Sequence, residues 1–179
     1  MAKRSPTPVP PPAPLPLTLR FQRHLDGAVS LCAERAEGSA TWQRQTGQRA
    51  AFFTRHDLTH FAVETVIGYQ SAFYGLLAAG WDFADFGMPW QHRPLPPDAV
   101  ASELLVGLFD TEGAGGASWT AAEFNEQTAT FYTARGLLET PPILTDALIG
   151  AIRATRDDLF VRWSAVPTGG MLKLRFAVS

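Results

Sequence analysis

The chain has 179 residues, of which 46% are hydrophobic and 18% charged, and its formal net charge is −2. This length suits one domain with enough apolar material for a sizeable core. No basic block stands out, so the composition does not favour nucleic acid as a partner. The single cysteine, Cys32, excludes an intramolecular disulfide and a cysteine-based zinc site. We expect Cys32 to be a small buried hydrophobic residue in a reducing compartment.

From the sequence we expect neither a secretory signal nor a membrane span. It begins Met-Ala-Lys-Arg-Ser-Pro and continues into prolines, without the apolar region of a secretory signal. The most hydrophobic stretch, residues 61–81, contains Glu64 and Gln70 and is rich in Gly and Ala, which favours a buried helix over a membrane span. We therefore expect a cytoplasmic protein that does not associate with membranes.

The N-terminal region is rich in proline. Residues 5–16 hold seven of the fourteen prolines, and proline lacks the amide donor that helices and sheets need. We predict a disordered tail over residues 1–16, followed by a single domain over residues 17–179. Pro-x-x-Pro spacings in the tail leave open a docking partner of the SH3 type.

Alternation of apolar and polar residues predicts four strands. In residues 15–24, Leu17, Leu19 and Phe21 share one face, and similar patterns occur at 29–33, 40–45 and 171–178. Because terminal strands often meet in small α+β folds, we expect the first and last strands to pair.

Three-to-four spacing of apolar residues predicts four helices, over 54–79, 98–109, 120–138 and 144–166. Thr54 with Asp57, and Thr120 with Glu123, are suitable capping pairs. The glycine-rich residues 110–118 are predicted to form a loop. The fold class is therefore α+β, with an antiparallel sheet of about four strands packed against four helices.

The segment with chemical content is His-Asp-Leu-Thr-His at residues 56–60. Residues four apart on a helix project from the same face, so His56 and His60 can reach one ion of the size of zinc. The pattern differs by one methylene from His-Glu-x-x-His, in which the glutamate acts as general base in zinc hydrolases. We predict that His56 and His60 are metal ligands, with Asp57 and Glu64 as the catalytic carboxylates.

The sequence does not identify the remaining ligands of the predicted metal ion. Glu64 lies two helical turns from His56, too far for both to bind the same ion easily. We therefore expect Glu64 to orient the ring of His60, or to bind a different ion, and not to be the third ligand of the ion that the two histidines bind. Several residues remain open as the third ligand: His24, Asp82, Asp85, His92, Glu123 and Glu126. An aromatic segment after the central helix is our candidate for a pocket wall or lid: Trp81, Phe83, Phe86 and Trp90.

Two functional classes follow. The first is a zinc-dependent hydrolase that acts on a small-molecule substrate. The second is a non-catalytic binding or assembly module, for example a homodimer formed through the apolar helices, in which His56 and His60 are structural and hydrogen-bond to neighbouring carboxylates.

The segment also carries two resemblances. His-Asp-Leu-Thr-His resembles the His-Asp-x-x-His motif of the ubiquinone-biosynthesis scaffold family, which implies a zinc site completed by a later glutamate, but Ala72 stands at that position here. More of the chain resembles an uncharacterised group of bacterial proteins, through residues 56–64, 75–82 and 163–174. That second resemblance implies a shared fold and no particular activity.

Overall fold

A computed structural model describes residues 16–87 and 95–177 of the chain. The strands are β1 (Leu17–Arg23), β2 (Val29–Glu34), β3 (Ala40–Gln45) and β4 (Met171–Phe176). The α-helices are α1 (Gly47–Ile67), α2 (Phe73–Ala78), α3 (Pro97–Gly115), α4 (Ala121–Arg135) and α5 (Asp146–Ser164). The predicted α+β class is confirmed, since four long helices accompany a four-stranded sheet and α2 is a short addition.

The sheet is antiparallel throughout, with the strand order β3-β2-β1-β4. In its centre, Leu19 of β1 lies opposite Ala33 of β2 and Leu174 of β4. The predicted pairing of the first and last strands is therefore confirmed. It joins the two ends of the domain in one core.

Strand alternation determines which side chains enter that core. Leu31 and Ala33 of β2 are buried against the helices, whereas Cys32 between them lies on the other face, opposite Trp42. Cys32 is half-buried and Trp42 is exposed. The expectation of a buried cysteine was wrong, because no helix within residues 16–87 and 95–177 covers that face of the sheet.

Helix α1 is central to the helical layer. It contacts β2 and β3 on the sheet side, and α3 and α5 on other sides. Leu58, Phe61 and Ala62 are buried in the common core. Since helices also cover the polar face of α1, His60 and Glu64 are taken into the interior.

The predicted helix over residues 54–79 was wrong at its start. Helix α1 begins at Gly47, and the hydroxyl of Thr54 donates to the carbonyl oxygen of Ala50 inside the helix, at 2.6 Å. Residues 48–51 are Gln, Arg, Ala and Ala, all strong helix formers, so the helix extends towards β3.

The same prediction missed a break after Ile67. Gly68 adopts the left-handed conformation (φ 86°), and its N–H and that of Tyr69 donate to the carbonyl oxygen of Glu64. The chain then turns into α2. In that turn the carbonyl oxygen of Gln70 approaches Gly75 so closely that a Cβ atom at Gly75 would lie 2.0 Å from it.

Helix α3 continues through the first part of the predicted loop at 110–118. Glu112 is buried, accepts the N–H of Trp119 at 2.7 Å, and pairs with the guanidinium of Arg153 on α5. These contacts hold the glycine-containing end of α3 in helical form against its low helix propensity. The glycines in this stretch predicted a loop, but tertiary contacts stabilise a helix there.

Helix α4 begins as predicted. The hydroxyl of Thr120 accepts the N–H of Glu123, and the Glu123 carboxylate accepts the N–H of Thr120 in return. The helix ends at Arg135, where Gly136 takes the left-handed conformation. The predicted end at residue 138 was therefore slightly late.

Within the described ranges, no helix combines the length and the apolar character needed to cross a membrane. The predicted tail at residues 1–16 lies outside these ranges except for Pro16. Trp90 and His92 also lie outside them.

We expect Gly75→Ala to lower the free energy of unfolding by about 2–3 kcal/mol, because the added methyl group forces the turn at Gln70 to move. Urea unfolding followed by circular dichroism measures this. Gly150→Ala is the matched control: Gly150 lies exposed in α5 with nothing near its Cβ position, so alanine there should stabilise by about 0.5–1 kcal/mol. A Gly75→Ala protein as stable as the parent would contradict the close approach.

Candidate metal centre

The two predicted histidines lie side by side on one face of α1. The ring centroids of His56 and His60 are 4.9 Å apart, and the ring planes are inclined at 76°. His56 also stacks on Phe52, with ring centroids 5.7 Å apart. His60 contacts the ring of Phe73 on α2, at 5.0 Å. Aromatic rings therefore flank the histidine pair and restrict both imidazoles.

His60 is buried and lies between two carboxylates. Its Nδ1 is 3.0 Å from Glu64 Oε1, and its Nε2 is 3.1 Å from Glu103 Oε2 on α3. The hydroxyl of Ser102 donates to the same Glu64 oxygen at 3.2 Å. Because Nδ1 is engaged by Glu64, the Nε2 atom is the one directed towards Glu103.

His56 shows the same arrangement with a different carboxylate. Its Nδ1 is 2.8 Å from Asp110 Oδ2 on α3, and its Nε2 is 3.9 Å from Glu103 Oε1. Both imidazoles therefore have a carboxylate at Nδ1 and face Glu103 with Nε2. Carboxylate partners of this kind orient histidine ligands at metal sites.

One ligand atom from each of His56, His60 and Glu103 lies within 4.8 Å of the other two. In the described part of the chain, this is the group of His, Cys, Asp or Glu residues that is close enough to hold an ion. The two histidines were predicted as ligands, and the structure brings Glu103 close to both of them, so Glu103 is the candidate for a third ligand.

Glu64 is fully buried and contacts three helices. Besides His60 and Ser102, its Oε2 accepts the backbone N–H of Tyr74 at 2.9 Å, near the start of α2. Its oxygens are therefore occupied, and the contact with His60 matches the orienting role weighed in the sequence. The catalytic role predicted for Glu64 stays a prediction.

Asp57 lies on the sheet side of α1. Its Oδ2 accepts a hydrogen bond from the Gln43 side chain of β3 at 3.1 Å, and its carbonyl oxygen accepts the Tyr74 hydroxyl at 2.7 Å. Burial raises the pKa of Asp57 to about 7, although the nearby His60 and His56 act in the opposite direction. The structure does not bring the Asp57 carboxylate into the group formed by the two histidines and Glu103, and its catalytic role also stays a prediction.

The pKa values of the remaining groups reflect their pairing. Burial by itself lowers the pKa of His60, but the hydrogen bonds to Glu103 and Glu64 outweigh it and raise the pKa to about 10. The hydrogen bond with His60 in turn lowers the pKa of Glu103 below its usual value. The space between the two side chains therefore favours positive charge.

The other residues considered as a third ligand have different surroundings. His24 contacts Ser30, and Glu123 caps α4. Asp82 and Asp85 cap the 3-10 turn Phe83–Phe86. Glu126 is exposed on α4, and His92 lies outside the described residues.

The aromatic segment packs inward. Trp81 is buried and contacts Phe86 at 5.4 Å, while Phe83 and Phe86 contact Phe73 at 5.9 and 4.8 Å. Phe73 in turn contacts His60, so Phe83 and Phe86 pack against a ring that borders the histidine pair. The role of these residues as a pocket wall or lid stays a prediction.

Glu103 and Asp110 were missed in the sequence, although one signal was available. They are seven residues apart and share a face of α3, but the loop predicted over residues 110–118 placed Asp110 outside the helix predicted over 98–109. Nothing in the local sequence shows that this face meets His56 and His60, because α1 and α3 are brought together by tertiary packing.

Comparison with protein-family models gives no match for this chain, and searches among curated proteins and solved structures give none either. The two resemblances drawn from the sequence therefore stay predictions. Function has to be inferred from the geometry of the site.

We expect Asp57→Asn to stabilise the chelator-treated protein at pH 8. The raised pKa of Asp57 means that the folded protein holds a proton which the unfolded chain releases above about pH 4, so stability falls as pH rises from about 4 to 7. Asparagine avoids this loss and can still accept from Gln43. The gain should be small at pH 4.5 and reach about 2–4 kcal/mol at pH 8.

Urea unfolding at the two pH values tests this. Asp158→Asn, at an exposed position of α5, is the control and should change stability little at either pH. An equal gain from Asp57→Asn at both pH values would show that the Asp57 carboxylate titrates normally.

Proposed function

We propose that His56, His60 and Glu103 bind one divalent metal ion, most suitably zinc, and that the protein is a metal-dependent hydrolase of a small molecule. The observation that carries the proposal is that both imidazole rings are oriented in the same way by carboxylates. Each Nδ1 is held by its own carboxylate while each Nε2 faces Glu103. This places three donor atoms around a common point.

The donor set suits a catalytic ion. Two histidines and one glutamate occur in catalytic zinc sites, which keep a further position open for water or substrate. The same set also suits ferrous iron, so zinc is the part of the proposal that elemental analysis decides. A zinc ion supplies a Lewis acid and lowers the pKa of water that it binds.

The charges around the site also support a cation. Glu64, Glu103 and Asp110 contact the two imidazoles, so negative charge exceeds positive charge when the histidines are neutral. A cation between the two Nε2 atoms and Glu103 would take the place of the proton that His60 otherwise holds.

The protein's own residues supply orientation and access. Glu64 and Asp110 fix the imidazole rings, and Phe52 and Phe73 pack beside them. The side chain of Glu103 is 66% exposed, so a small molecule can approach from that side.

A second function class has one observation in its favour. With both ring nitrogens of His60 directed at carboxylates, a protonated His60 would join Glu64 to Glu103 as a purely structural ion pair. In that case His60→Ala would lower stability by the same amount with and without chelator, and the protein would be a non-catalytic module.

We expect the protein purified without added metal to contain about one equivalent of zinc by elemental analysis. Zinc added to chelator-treated protein should raise Tm by about 5 °C, because it binds only the folded state. Glu103→Gln should weaken zinc binding by about tenfold or more, whereas the exposed Glu126→Gln should leave it unchanged. Less than about a tenth of an equivalent of any transition metal, with no thermal shift on adding zinc, would overturn the proposal.

We also expect Asp110→Ala to weaken zinc binding by about ten- to a hundredfold, because the ring of His56 loses the acceptor that fixes it. Asp110 is not itself in the ligand group, so a merely surface role predicts no change in zinc affinity. Calorimetric titration of zinc into the variant, with Glu126→Gln as control, distinguishes the two results.

A further inference from the structure

A cavity of about 720 Å³ lies between α3 and the C-terminal end of α4 and is bordered by Glu103. Volumes of this size hold small-molecule ligands in other proteins. The wall on α3 includes Glu103, Leu104, Gly107 and Leu108, and the wall on α4 includes Phe131 and Arg135. The third proposed metal ligand, Glu103, and a cation, Arg135, therefore border the same cavity.

The lining defines the chemistry of the occupant. Apart from Glu103, Arg135 and Thr111, the described residues that line the cavity are apolar. An occupant with an apolar chain or ring would be removed from water there. The two charged groups belong to different helices, so they can contact different parts of one occupant.

The guanidinium of Arg135 has N–H donors that are available to a ligand. Its guanidinium carbon lies 5.1 Å from the centroid of the Phe131 ring, which limits where the group can point. Within the described residues, Arg135 has no carboxylate partner. Arg135 lies in the last turn of α4, where the negative end of the helix dipole stabilises its positive charge. This interaction does not use the N–H donors of the guanidinium, which remain available to a ligand.

From these observations, and resting on the proposed function, we infer that the substrate is a small amphipathic carboxylate. Its carboxylate pairs with Arg135, its apolar body lies between α3 and α4, and its reactive end reaches the metal beside Glu103. The planar fork of a guanidinium matches a carboxylate with two parallel hydrogen bonds.

A carboxylate suits the site better than a phosphate ester. Arg135 is the only cation among the described residues that line the cavity, and the adjacent C-terminal end of α4 carries negative partial charge. A dianionic phosphate would meet this negative end with one cation to offset it, whereas a monocarboxylate is neutralised by Arg135 alone.

Calorimetric titration of octanoate into chelator-treated protein tests the cavity without the metal. Octanoate should bind about tenfold more tightly than the uncharged octanamide, and Arg135→Gln should remove that difference while octanamide binding is unchanged. Arg162→Gln, at an exposed position of α5, is the matched control and should have no effect. Equal affinity for octanoate and octanamide, or about tenfold tighter binding of octyl phosphate, would overturn the inference.

A second variant tests the place of binding. Gly107 lines the cavity, and nothing lies near its Cβ position, so Gly107→Leu should fill the space and still fold, as checked by circular dichroism. Binding of both octanoate and octanamide should be lost. Unchanged octanoate binding to folded Gly107→Leu protein would show that the ligand binds elsewhere.

The link to the metal is tested with a series of ω-carboxy hydroxamates of increasing chain length. Zinc loading should raise the affinity of at least one member about tenfold and leave that of octanoate unchanged, with Arg135→Gln weakening both. If zinc binds the protein but improves no hydroxamate, the inference fails and the metal site stands. If zinc does not bind at all, the proposed function fails, and octanoate binding still reports on the cavity.

Discussion

The buried carboxylate of Glu64 is the interaction on which the site depends. It accepts hydrogen bonds from His60 on α1, Tyr74 on α2 and Ser102 on α3. A charge without water is tolerated only when such bonds surround it, and leaving one uncompensated costs about 3–5 kcal/mol. A single side chain therefore fixes the start of α2, the position of α3 and the ring of His60. The break in the helix after Ile67 is what allows the N–H of Tyr74 to reach it.

Helix α1 separates two environments that adjoin in sequence. Asp57 faces the sheet and is held by Gln43, whereas His56, the residue before it, faces α3 and Glu103. Consecutive helical residues point in different directions, so the carboxylate inside the motif is carried away from the histidines that flank it. The candidate for a third ligand therefore comes from α3, where Glu103 lies opposite both rings.

The sequence predicted the features that depend on local pattern. Alternation of apolar and polar residues predicted the strands, and the tendency of terminal strands to meet in small α+β folds predicted the pairing of β1 with β4. The Thr120–Glu123 box predicted the start of α4, and helical spacing predicted that His56 and His60 share one face. The features it missed depend on contacts between distant segments. The helical end of α3 needs Arg153 on α5, and the role of Glu103 needs α3 to lie against α1. Helix propensity alone could not place the break at Gly68, since a glycine is tolerated inside many helices.

The three proposed ligands differ in burial, so substitutions at them differ in their effect on the core. His60 is enclosed in the core and tied to Glu64, so a change there disturbs packing. Glu103 stands at the surface, and its two carboxylate oxygens face His56 and His60. A change of the Glu103 side chain therefore disturbs the apolar core less than a change at His60, because most of that side chain lies outside the core. For the proposed metal site, α3 is therefore the helix on which a new donor side chain would disturb the apolar core least.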